Sequence, residues 1–145
     1  GSPITESDRI YEKRLHQLAK PLVRSDCLVF QPAVPSASSL DIYRTHEIYV
    51  NLTLPGSMDK TIFEAMAAGC LVLACNDNLK GKIDERSVID EKKAEKVAER
   101  LLTTLSLPEE EKRKMNTEEN ILAEKHSLIL LTSKLIYELQ SYKYL

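Results

Sequence analysis

From Asn51 to Cys75 the chain reads Asn-Leu-Thr-Leu-Pro-Gly-Ser-Met-Asp-Lys-Thr-Ile-Phe-Glu-Ala-Met-Ala-Ala-Gly-Cys-Leu-Val-Leu-Ala-Cys. The groups able to do chemistry crowd into its first half. Thr53, Ser57 and Thr61 carry hydroxyls, Asp59 a carboxylate and Lys60 a cation. The pattern predicts a strand end, a polar loop, a helix opening on Asp59, Lys60 and Thr61, a glycine stop and a buried strand. Glu64 then falls on the first turns of the helix. A helix N-terminus offers unpaired N–H groups and the positive end of the dipole. Placed at the carboxyl end of a parallel strand, it is where open α/β sheets bind anionic ligands. Gly56 lets the loop turn tightly and approach a ligand closely. Lys60 is unfavourable to the dipole, so it calls for an anionic partner: Asp59, Glu64 by helical spacing, or a phosphate. Thr53 is either a plain loop hydroxyl or a ligand contact.

The elements that would position this loop follow from the apolar pattern. Thr5 to Asp8 has the form of a capping box with Asp in place of Glu or Gln. Tyr11, Leu15, Leu18 and Leu22 then recur at helical spacing, which predicts an amphipathic helix over residues 6–23 ending near Pro21. Residues 27–30 (Cys-Leu-Val-Phe) read as a buried strand stopped by Pro32 and Pro35. Ser38 or Ser39 can cap a short helix through Leu40, Ile42 and Tyr43. Residues 48–51 form the next strand. Residues 61–68 form the site helix, with Ile62, Ala65, Met66, Ala67 and Ala68 toward the sheet and Gly69 as its left-handed stop. Residues 71–75 are continuously apolar, as expected of a strand covered on both faces, and 87–89 would add a short edge strand. From Asp90 the pattern is helical, with a stripe of Ala94, Val97, Ala98, Leu101, Leu102 and Leu105. Pro108 opens a very polar helix to about Lys125, expected on the surface with Met115, Ile121 and Leu122 as anchors. A last helix over about 127–142 carries Leu128, Leu131, Leu135 and Leu139. Tyr137, Tyr142 and Tyr144 are expected to be packing or surface groups.

Composition narrows the class. A chain of 145 residues can bury a core, and its formal charge of -2 gives no basic face for nucleic acid. No apolar run approaches a membrane span. Cys27, Cys70 and Cys75 lack CxxC spacing, each sits in or beside an apolar run, and they read as buried, reduced thiols of a cytoplasmic protein. His16, His46 and His126 lack metal spacing, and no G-x-G-x-x-G supports a dinucleotide enzyme. Gly1 and Ser2 look like a tag-removal scar. Alternating strands and helices followed by helices predict an α/β fold.

At these residues the chain resembles a family. Residues 48–75 are similar to the donor-binding region of retaining GT-B glycosyltransferases of the "glycosyl transferases group 1" family, through Glu64-Ala-Met-Ala-Ala-Gly69 above all. Residues 28–30 and Asp41-Ile-Tyr43 resemble the preceding strand and short helix, and the tail resembles the closing helices of the same domain. The resemblance implies a truncated Rossmann-like parallel sheet of about three to four strands, with helices on both faces and a helical C-terminal layer. It implies a single partial domain over 1–145, lacking its own first two strands. Strand 28–30 would then either pair directly with 48–51, or a second chain would fill the gap and make a homodimer.

The resemblance also implies roles. Glu64 is expected to accept hydrogen bonds from the ribose hydroxyls of a nucleotide-sugar. Backbone N–H groups around Met58 to Thr61 are expected to face the donor hexose and diphosphate. The family's first motif glutamate falls on Gly56, and Ser57-Met58-Asp59-Lys60 replaces its aromatic-glycine pair. Either Asp59 or Ser57 binds sugar hydroxyls with Lys60 near phosphate, or the chain is an inactive descendant. The implied whole protein is a hexosyltransferase that needs no redox cofactor and no metal. Its partners would be a nucleotide-sugar, a missing N-terminal domain, and a glycan or lipid acceptor, and it would be cytoplasmic or peripheral to a membrane. The fragment alone would be inactive. The rival is a non-catalytic α/β interaction or regulatory module of the same descent.

Overall fold

A computed structural model of the chain describes residues 3–25, 27–53 and 59–141. Gly56, Ser57 and Met58 of the predicted site, the Gly1-Ser2 pair, Tyr142 and Tyr144 lie outside the described residues. The fold is α/β and mostly helical, around a small parallel sheet. The chain divides into two compact units, Gly1–Ser39 and Leu40–Leu145. No described helix is long and apolar enough to cross a membrane.

The first unit is built on α1 (Glu6–Arg24). Its start is the predicted capping box: Asp8 N–H donates to Thr5 Oγ1 at 3.1 Å, and Thr5 N–H donates to Asp8 Oδ2 at 2.8 Å. These bonds, the one from the Thr5 backbone first, hold the Asp8 carboxyl below its ordinary range. The helix continues one turn past Pro21, and Ser25 Oγ closes its end on the Pro21 and Leu22 carbonyls. Residues 27–30 are not a strand, contrary to expectation, and Val29 and Phe30 are 71% and 40% exposed. A four-residue apolar run becomes a strand only with a neighbour to share its ladder. Here Phe30 lies against His16 instead, ring centroids 3.9 Å apart. Among the described residues the sheet ladder is that of 48–51 with 71–74, and 28–30 carry no strand assignment.

Helix α2 (Ser36–Arg44) crosses the division between the units. It begins before the predicted caps, because Ser38 N–H already donates to the Pro35 carbonyl. Ser39 Oγ bonds back to the Ser36 carbonyl at 2.7 Å rather than capping a helix.

The second unit carries the core. Strand β1 (Ile48–Asn51) pairs in parallel with β2 (Leu71–Ala74), in register Ile48↔Leu71 through Asn51↔Ala74. Helix α3 (Lys60–Ala68) connects them. Every residue of β2 is buried, as its unbroken apolar run requires. Residues 87–89 add only one parallel bridge, Ala74↔Val88, with Ile89 N–H on the Ala74 carbonyl at 2.9 Å. The sheet among the described residues thus has two strands, not three to four. Helix α3 buries Ile62, Ala65 and Met66 as predicted, whereas Ala67 is exposed.

Helices α4 (Ala94–Leu105), α5 (Glu109–Lys125) and α6 (Leu128–Ser141) complete the unit. The apolar stripe of α4 stays largely exposed, and only Thr104 is buried there. Helix α5 departs most from expectation. It packs on α3 and β2 and buries Met115, Glu119, Leu122 and Ala123, while Ile121 is 48% exposed. All of α6, its leucine stripe included, is exposed.

Candidate functional site

The carboxyl end of β1 and the N-terminus of α3 meet through one polar network. Asp59 is the N-cap of α3, and its Oδ1 accepts from Thr61 N–H at 3.0 Å and from Thr61 Oγ1 at 2.8 Å. Its Oδ2 accepts from Asn51 Nδ2 at 3.1 Å. Asn51, 6% exposed at the end of β1, also donates from Nδ2 to Tyr49 Oη at 3.2 Å. Tyr49 Oη and Thr61 Oγ1 lie 2.7 Å apart. On its other side, Asn51 Oδ1 accepts from Thr53 N–H at 3.0 Å and Thr53 Oγ1 at 2.6 Å. The Thr53 carbonyl in turn accepts from Lys92 Nζ at 3.0 Å. Thr53 and Asp59 are therefore both held by one buried asparagine.

The electrostatics follow from these bonds. Partial burial would raise the Asp59 carboxyl, but the Thr61 and Asn51 donors, helped by Lys60, outweigh it and hold Asp59 below its ordinary range. Asp59 is thus an ionised cap, which the positive end of α3 favours. The predicted capture of sugar hydroxyls by Asp59 competes with three bonds already made. Thr53 and Thr61 are committed in the same way.

Glu64 is partly exposed one turn into α3, with Oε1 3.6 Å from Lys60 Nζ. Of the partners foreseen for Lys60, the structure pairs it with Glu64. Lys60 itself is well exposed, so this is a weak, solvent-screened pair that a ligand can replace. Beside them Tyr43 packs edge-on against Tyr49, ring centroids 5.4 Å apart. Burial first, then the nearby Tyr49, Glu64 and Asp59, push the Tyr43 phenol upward. The structure therefore brings Thr53, Asp59, Lys60, Thr61 and Glu64 into one neighbourhood. Asn51, Tyr49 and Tyr43 were missed as site residues. The signal for Asn51 was a lone amide ending an apolar strand two residues before a threonine, the spacing of an Asx turn.

Fold and site together define an α/β protein in which one buried asparagine ties the end of a parallel strand to the capped start of a helix. Compared with family models, curated proteins and solved structures, the chain has no match in any of the three.

Proposed function

We propose that this chain is the nucleotide-sugar-binding part of a glycosyltransferase, which transfers a hexose to a glycan or lipid acceptor once joined to a second domain. The observation that carries the reading is the tie between Thr53, Asn51 and Asp59, with Glu64 one turn further on and Lys60 as its ion-pair partner among the described residues. Such anchoring pre-organises backbone N–H groups for a diphosphate. Glu64 accepts the ribose hydroxyls, Lys60 turns toward phosphate, and the N–H groups that face the hexose are those ahead of Thr61, whose own N–H is held by Asp59. The two strands and the bridge at Val88 are then part of a larger Rossmann-like parallel sheet. A second reading, a non-catalytic binding module, draws support from Gly56 in place of an acid and from the full internal commitment of Thr53, Asp59 and Thr61.

Titration of this chain with uridine and guanosine diphosphate hexoses, followed by NMR, separates the two. Shifts centred on the start of α3 and including Lys60, Thr61 and Glu64 are expected for the first. Glu64→Gln should then weaken binding by about 1–3 kcal/mol, the scale of hydrogen bonds to a charged acceptor. Lys60→Ala should weaken it comparably if Lys60 meets phosphate, and hardly at all if it serves only Glu64. Absence of binding, or an unchanged affinity in Glu64→Gln, sinks the donor-site reading.

A further inference from the structure

Glu119 stands outside the candidate site. It is fully buried on α5, and its carboxyl sits at the edge of β2 away from β1. The ladder explains the position. Leu71 and Cys75 donate their N–H groups to Glu47 and Asn51, so β1 takes the odd-numbered donors of this stretch. The N–H of Val72 points the other way, where Val88 reaches only as far as Ala74. Glu119 fills that place: Val72 N–H lies 3.2 Å from Oε1 and 3.1 Å from Oε2, and Ser87 Oγ donates to Oε1 at 2.8 Å. Without this carboxyl a buried donor of the sheet would be unpaired.

Among the described residues the surroundings supply donors but no cation paired with Glu119, and Lys114 of α5 acts on Asp84. From the turn Glu85–Ser87 and its cap come Asp84 and Arg86, and Arg86 is taken up by Asp84 and Glu111. Helix α5 adds Glu118, and the residue before β2 is the buried Cys70 thiol. Strand β2 has no ionisable side chain, and those of α3, Lys60 and Glu64, pair with each other. Val72 N–H reaches both carboxyl oxygens and Ser87 Oγ reaches Oε1, bonds that favour the ionised form and that burial opposes. An ionised Glu119 would be a buried charge without a cation, a costly state.

We propose that Glu119 is a proton-operated clasp: protonated, it locks α5 onto the open edge of β2, and on ionisation it loosens α5 from β2 and from α3. The link to α3 runs through α5 itself, which packs on α3 and donates from Asn116 Nδ2 to the Gly69 carbonyl at 2.9 Å. Burial, against the opposing Ser87 and Val72 bonds, raises the Glu119 carboxyl to about 7. A carboxyl raised on folding contributes stability that is full below its unfolded value, near 4.5, and lost as pH rises through about 7.

Hydrogen exchange at the Val72 amide, normalised to the intrinsic rate, tests this on the whole chain. The opening constant should rise roughly tenfold between about pH 6 and about pH 8, by linkage. Glu119→Gln keeps a carbonyl acceptor and has no proton to lose, so its normalised exchange should be the same at both pH values. The Glu119 carboxyl carbon of the unmodified chain should titrate near neutrality, a measurement that decides the matter even if the variant does not fold. A carboxyl titrating in its ordinary acidic range, a Val72 amide indifferent to pH, or an identical pH dependence in Glu119→Gln would overturn the clasp.

Discussion

The carboxylate of Asp59 accepts from the Thr61 amide, the Thr61 hydroxyl and the Asn51 side chain, so its removal acts on a helix start and a strand end together. Asp59→Ala should cost about 1 kcal/mol, the usual value of an N-cap. Asp59→Asn should cost less, because asparagine caps nearly as well. The pH dependence has a definite sign. The folded carboxyl is held below its ordinary 3.8, so its contribution is complete above that value and is lost as pH falls through the lower, folded one. Acid unfolding of Asp59→Asn should lack this component, and an acid transition identical in both proteins would show that the cap is not ionised. The position of Asp59 at the helix start was legible in the sequence. Its employment was not, because a first-turn aspartate serves a cap and a ligand equally well until its neighbours are placed.

Helix α3 ends as its sequence demands. Gly69 has φ +95°, its N–H donates to the Met66 carbonyl at 3.0 Å, and Cys70 N–H reaches Ala65 at 3.0 Å. This paired closure requires the left-handed residue that glycine supplies. A methyl group at Gly69 would meet no atom within 4 Å, so crowding adds nothing to the cost of alanine. Gly69→Ala should therefore destabilise by about 1–2 kcal/mol, the strain of the left-handed conformation alone. Urea unfolding measures it, and an unchanged midpoint would mean that the turn adopts another geometry. Elements of this kind were readable because one residue type dictates one conformation. Helix α5 was not: the polar count put it on the surface, yet its buried face includes Glu119, whose value lies in an unpaired N–H that only the sheet topology reveals. Residues 27–30 misled in the opposite way, since apolarity marks a strand only where a partner edge exists.

At the scale of the molecule, the parallel pair β1–β2 and the connecting α3 were legible from the run Ile48 to Cys75, whereas the extent of the sheet was not, because pairing is a property of two segments. The buried apolar side chains among the described residues all belong to Leu40–Leu145: Ile62, Met66, Val72, Leu73, Leu79 and Met115 are fully enclosed, and α1 buries none. Hydrophobic burial is the main favourable term in folding, and the denaturant slope follows the surface that unfolding exposes. The cooperative unit is therefore expected to be the second one. A chain begun at Ser36, which keeps α2 whole, should unfold in urea as a single transition with a midpoint close to that of residues 1–145. Far-ultraviolet circular dichroism should lose a helical contribution equal to α1 and no more. A broad, non-cooperative transition in the shortened chain would mean that stability is shared across both units. A separate early transition in the longer chain, absent from the shorter one, would instead place α1 in a unit that melts on its own.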